Sequence, residues 1–133
     1  MTEERSSRLL DLAASVVERA QKAGAHVAEV LATENGELSA KVRMGQPELV
    51  QEAMSRGLGL RVFIDAQEAI VTTSDLTAGG LDNLVGDAIA LAKLAQRDEH
   101  ALPPESYALA RSFPALELYD AKSRGFGADQ ALA

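Results

Sequence analysis

His26 and His100 are the only two histidines of the chain, and cysteine is absent. Neither imidazole has a second His or a helical Glu at metal-ligand spacing, so no zinc site of the His-Glu-x-x-His kind assembles from this sequence. A Ser-His-Asp arrangement would need a serine such as Ser74 to meet one of these distant imidazoles and a carboxylate, and nothing in the spacing favours it. Gly57-Leu58-Gly59 resembles a dinucleotide loop, but it precedes a strand pattern instead of opening a helix and lacks the third glycine. It reads better as a bulge or a close backbone approach at the mouth of a strand. Asp65, Glu68 and Asp75 lack the alternating oxygen spacing of a calcium loop and read as turn and cap residues. Arg61, Thr73, Ser74 and Asp75, polar residues near strand ends, remain as the candidate cleft or interface, with no catalytic or metal role assigned to any residue.

The elements that would position them follow from periodicity. Leu9, Leu10, Ala13, Val16, Val17, Ala20 and Ala23 form one face of a helix over 7–23, closed by Gly24. Val27–Thr33 reads as a strand, Asn35-Gly36 as a tight hairpin turn, and Leu38, Ala40, Val42 and Met44 as one face of the next strand. Gly45-Gln46 is a second turn signal. Over 47–55, Leu49, Val50, Ala53 and Met54 have a helical period. Leu58, Leu60, Val62 and Ile64 line one face of a strand, and Ala69–Thr73 reads as its β-branched return. Ser74, Asp75 and Thr77 are candidate caps for a helix over 81–95, with fraying expected at Gly79-Gly80. Pro103-Pro104 ends it, and 102–133 shows no clean period.

Composition bounds the rest. At 133 residues the chain holds one domain. Of its apolar residues 24 are alanine and 18 leucine, Trp is absent and Phe plus Tyr number five, so the core is thin and a covering surface or further chain is expected. The net charge of −7 has the wrong sign for binding nucleic acid. The charged start Met1-Thr2-Glu3-Glu4-Arg5 and the lack of a long apolar run argue against a leader or membrane span, and together with the absence of cysteine make a cytoplasmic protein the expectation.

Arg56-Gly57-Leu58-Gly59-Leu60-Arg61-Val62-Phe63, then Thr72-Thr73-Ser74-Asp75-Leu76-Thr77 and an Ala/Leu helix running to Leu102-Pro103, resembles the N-terminal domain of the TldD/PmbA family. Ala23-Gly24-Ala25 matches the family's usual helix end, and Leu116-Glu117-Leu118-Tyr119-Asp120 a stretch that follows the domain. Gly79-Gly80 departs from the helix formers usual there, and no Pro follows Asp120. The resemblance implies a strand over 47–55, against the local period. The fold it implies is α+β, a two-layer sandwich with an antiparallel sheet of about five strands, two main helices on one face and an irregular C-terminal arm. It further implies an N-terminal domain over 1–101 and an arm over 102–133 leading to a C-terminal region outside this chain. The wording is closer to the PmbA (TldE) type. The implied role is a non-catalytic part of a zinc metallopeptidase that acts on peptides, paired with a TldD-type subunit or with the rest of the same protein. Zinc would then sit in that partner or in the C-terminal region, and none in this chain. Two readings stand beside this one: a free-standing interaction module using the Ala69–Thr73 strand edge, and a small enzyme using Arg61, Ser74 and Asp75.

Overall fold

The computed structural model describes residues 3–118, 120, 122 and 125–132. Tyr119, in the Leu116–Asp120 stretch, lies outside the described residues. The element order is helix α1 (Glu3–Lys22), strands β1 (Val27–Arg43), β2 (Gln46–Ile64) and β3 (Gln67–Thr73), helix α2 (Ala78–Leu94), a 3-10 turn at Ser106–Ala108 and a short helix α3 (Ala128–Leu132). The class is α+β, and among the described residues the sheet is three-stranded in the order β1-β2-β3.

That strand count corrects the expected five. Asn35-Gly36 does not turn: it lies inside a 17-residue β1, and the chain reverses at Met44-Gly45, with φ of 51° and 74°. Positive φ at both central residues is the I′ geometry that matches strand twist. Turning there lets β1 pair along a 19-residue β2, which satisfies far more backbone groups than a short hairpin closed at Asn35-Gly36. Residues 47–55 are likewise strand, as the resemblance implies and the period does not. A nine-residue helix without a core to face would be marginal alone, whereas the strand has β1 as its partner.

By contact the chain forms two compact units. One contains the described residues 3–33 together with Arg56–Arg111; the other contains Glu34–Ser55 and the described residues from Ser112 onward.

The first unit holds the core. Leu58, Leu60 and Val62 of β2 and Ala69 of β3 meet Val16 and Ala20 of α1 and Leu81, Leu84, Val85, Ala88, Ile89 and Ala92 of α2 in one buried cluster. Alanines in both helices let the backbones approach the sheet closely, which is where the alanine-rich composition goes. α1 ends as expected at Gly24, at φ 111°, with Ala25 N–H donating 3.0 Å to the Ala20 carbonyl. The turn joining β2 to β3 places Asp65 and Ala66 at φ 49° and 63°, left-handed conformations that cost a residue with a Cβ about 1 kcal/mol. Ala66→Gly is therefore expected to raise stability by about 0.5–1 kcal/mol in urea unfolding with an unchanged m-value.

Candidate functional site

β2 and β3 pair in register, Leu58 with Thr73, Gly59 with Thr72, Leu60 with Val71, Arg61 with Ile70 and Phe63 with Glu68. Side chains alternate, so the register that sends Leu58, Leu60 and Val62 into the core sends Gly59, Arg61, Phe63, Thr72, Ile70 and Glu68 to the opposite face. No helix packs there among the described residues of the core cluster.

Two adjoining hollows cross this open face. One of about 550 Å³ is lined by Leu31, Thr33, Gly57, Leu58, Gly59, Thr72, Thr73 and Ser74. The second, of about 330 Å³, takes in Glu29, Val30, Leu31, Gly59, Leu60, Arg61, Ile70 and Thr72. They share Leu31, Gly59 and Thr72 and form one groove. Its floor is backbone, because Gly57 and Gly59 carry no side chain. Leu31 and Ile70, 70% and 62% exposed, stand beside that floor as apolar walls.

Arg61 closes one end. Its Nη1 lies 3.4 Å from Glu29 Oε2, its Nη2 donates 3.4 Å to Glu68 Oε2 and 3.3 Å to the Ala101 carbonyl, and its Nε sits 3.1 Å from Glu68 Oε1 without hydrogen-bond alignment. The guanidinium also covers the Phe63 ring at 4.6 Å, and Phe63 is 2% exposed. Arg61 thus ties β1, β3 and the chain beyond α2 together, with its charge balanced by two carboxylates.

The other candidate residues divide. Thr73 and Ser74 line the opposite end of the groove. Asp75 turns away to build the start of α2: its Oδ1 accepts from Thr77 N–H at 3.0 Å and from the Thr77 hydroxyl at 2.6 Å, while its own N–H donates 3.0 Å to Thr73 Oγ1. Those two donors hold its carboxyl below the usual carboxylate range. Thr77 is the cap, its hydroxyl oxygen accepting from Gly80 N–H at 3.2 Å. The helix accordingly begins at Ala78, three residues before the expected firm start at Leu81. Replacing the hydroxyl by Thr77→Val is expected to cost about 1 kcal/mol in thermal or urea unfolding.

Sequence reasoning missed Leu31, Ile70 and Thr72. Their signal was parity: once Leu60 and Val71 are assigned to the core, residues one step away along each strand belong to the other face. As for zinc, no three His, Cys, Asp or Glu side chains converge among the described residues. His26 Nδ1 accepts the Asp65 N–H at 3.3 Å. These residues do not fit a zinc ion. Among the described residues no helix is long and apolar enough to cross a membrane.

Residues 28–92 match the family profile described as PmbA/TldA metallopeptidase domain 1. A metalloprotease PmbA homolog of Haemophilus influenzae is 36% identical over 105 residues, which are 79% of this chain and 23% of that protein. The chain therefore spans about a quarter of the length of this curated relative. A crystal structure from Bacteroides thetaiotaomicron, of a protein provisionally described as a modulator of DNA gyrase, superposes with a TM-score of 0.81 at 25% identity, over 96% of this chain and 28% of that one. TldE from Thermococcus kodakarensis shares the fold alone, with a TM-score of 0.65 at 13% identity over 78% of this chain and 23% of its own. Profile, relative and fold agree: the chain belongs to the TldD/PmbA family, as its N-terminal domain.

Proposed function

We propose that this domain is a non-catalytic, peptide-handling part of a PmbA/TldE- or TldD-like subunit in a cytoplasmic zinc metallopeptidase. The zinc and the hydrolytic groups come from a TldD-type partner, in a heterodimer, or from the rest of the same protein. The observation that carries the reading is the glycine-floored groove between Leu31 and Ile70 on the open sheet face. A main chain can lie close over Gly57 and Gly59, and apolar side chains of an unfolded peptide can rest against Leu31 and Ile70 without reading a particular sequence.

Gly59→Val tests this by placing a side chain on the groove floor. A Cβ at Gly59 would lie 3.7 Å from Thr72 Cγ2, an ordinary contact, and the residue stands in extended strand, where β-branched residues are favoured. In the full-length protein assembled with its zinc-bearing TldD-type subunit, the variant is expected to cut kcat/KM for an unfolded polypeptide by about tenfold, mostly through KM, with unfolding unchanged. Unaltered cleavage would contradict the groove's role.

A further inference from the structure

We infer that the Arg61 end of the groove favours a positive charge on the bound peptide, with Glu29 as the residue that reads it. The inference rests on the peptide reading of the groove and adds a preference at one position to a surface otherwise indifferent to sequence.

Strand pairing builds that end as a row across the sheet. Ile70 of β3 stands opposite Arg61 of β2, and Glu29 of β1 lies beyond it, with its Oε2 3.4 Å from Arg61 Nη1. All three line the same hollow. Among the described residues that line the two hollows, Arg61 is the one cation and Glu29 the one carboxylate. With those two alone the groove would be neutral, and a peptide carboxylate could pair with the guanidinium.

Glu68 decides against that. Arg61 Nη2 donates to Glu68 Oε2 at 3.4 Å and to the Ala101 carbonyl at 3.3 Å, and one face of the guanidinium is spent on the Phe63 ring. Two carboxylates thus share one guanidinium that already has its partners, which leaves this end of the groove with an excess of negative charge. Glu29 is the more accessible of the two, 46% exposed against 27% for Glu68. A lysine or arginine of the peptide can lay its aliphatic stem along Ile70 and bring its charged head to Glu29. A peptide carboxylate in the same place meets Glu29 beside an occupied Arg61, so the site repels one charge as well as attracting the other. The contact stays in water, which makes the preference modest and sensitive to salt.

Three unfolded peptides, identical apart from Lys, Gln or Glu at one central position, test it when they compete in one mixture for the full-length protein assembled with a TldD-type subunit. The ratio of their kcat/KM values reads the discrimination directly. Lys should be preferred over Glu by about fivefold at low ionic strength, falling toward parity at about 0.5 M salt. Glu29→Gln should reduce the ratio to about twofold or less, and Glu29→Lys should invert it. Asp87→Asn, an equal change in net charge at an exposed position of α2, should leave the ratio as it is, which separates a local effect from the field of an acidic chain. A ratio near one in the parent, or one that neither Glu29 variant changes, overturns the charge preference while the groove stands on Gly59→Val. A Gly59→Val variant that cleaves all three peptides as the parent does removes the groove reading and this inference together.

Discussion

Gly80→Ala is expected to destabilise the domain by about 3 kcal/mol, against the stabilisation of about 1 kcal/mol that helix propensity alone predicts. A Cβ at Gly80 would lie 2.5 Å from the Asp75 carbonyl oxygen and 2.6 Å from its Oδ2, separations real Cβ atoms do not show. Backbone must move, and the backbone in question carries the Asp75 and Thr77 cap. Gly79 provides the contrast. Nothing lies within 4 Å of a Cβ there, so Gly79→Ala should be neutral or stabilising by up to about 1 kcal/mol. Urea unfolding of the two variants reads opposite signs from adjacent glycines.

The same cap predicts a pH dependence. The Asp75 pKa is depressed in the folded state, so its contribution is present above the unfolded carboxylate pKa and is lost as pH falls through the folded value. Stability should decline on acidification below about pH 4, and the Asp75→Asn variant should lack that part of the decline. An acid unfolding profile of Asp75→Asn that parallels the parent would contradict the cap's share in it.

Leu60→Ala should cost about 3–4 kcal/mol, since Leu60 is fully buried at the centre of the cluster where both helices meet the sheet. In a core with so many alanines, few neighbours are long enough to close the cavity. Ile70, on the opposite face and 62% exposed, supplies the control: Ile70→Ala should stay within about 0.5 kcal/mol. The pair tests the strand parity on which the groove rests, because a one-residue slip of β3 would bury Ile70 in the core.

Much of this architecture is legible in the residues. The α1 stripe, its stop at Gly24 and the alternation of Leu58, Leu60 and Val62 each follow from local physics that tertiary contacts reinforce. Two features follow from long-range pairing instead, and a third from a close local contact. Asn35-Gly36 has the right turn chemistry, yet a turn preference of about 1 kcal/mol is outweighed when both strands continue pairing to Met44-Gly45. The helical period over 47–55 loses to the same partner strand. Gly80 looks like a weak helix start and is a steric requirement of the Asp75 turn. At the groove, Thr73, Ser74 and Arg61 were legible as polar strand-end residues. Leu31 and Ile70 were not, because apolar residues in strands read as core until the register assigns them a face.

Peptide binding on the open sheet face, as proposed, is open to direct capture. A photo-crosslinking residue placed at Ile70 of the full-length protein, with a TldD-type subunit added, should capture a labelled unfolded peptide. The same group at Leu10, 69% exposed on α1, should not. Capture at Ile70 that excess unlabelled peptide displaces is the predicted result; equal labelling at both positions, or none at Ile70, would contradict peptide binding on this face.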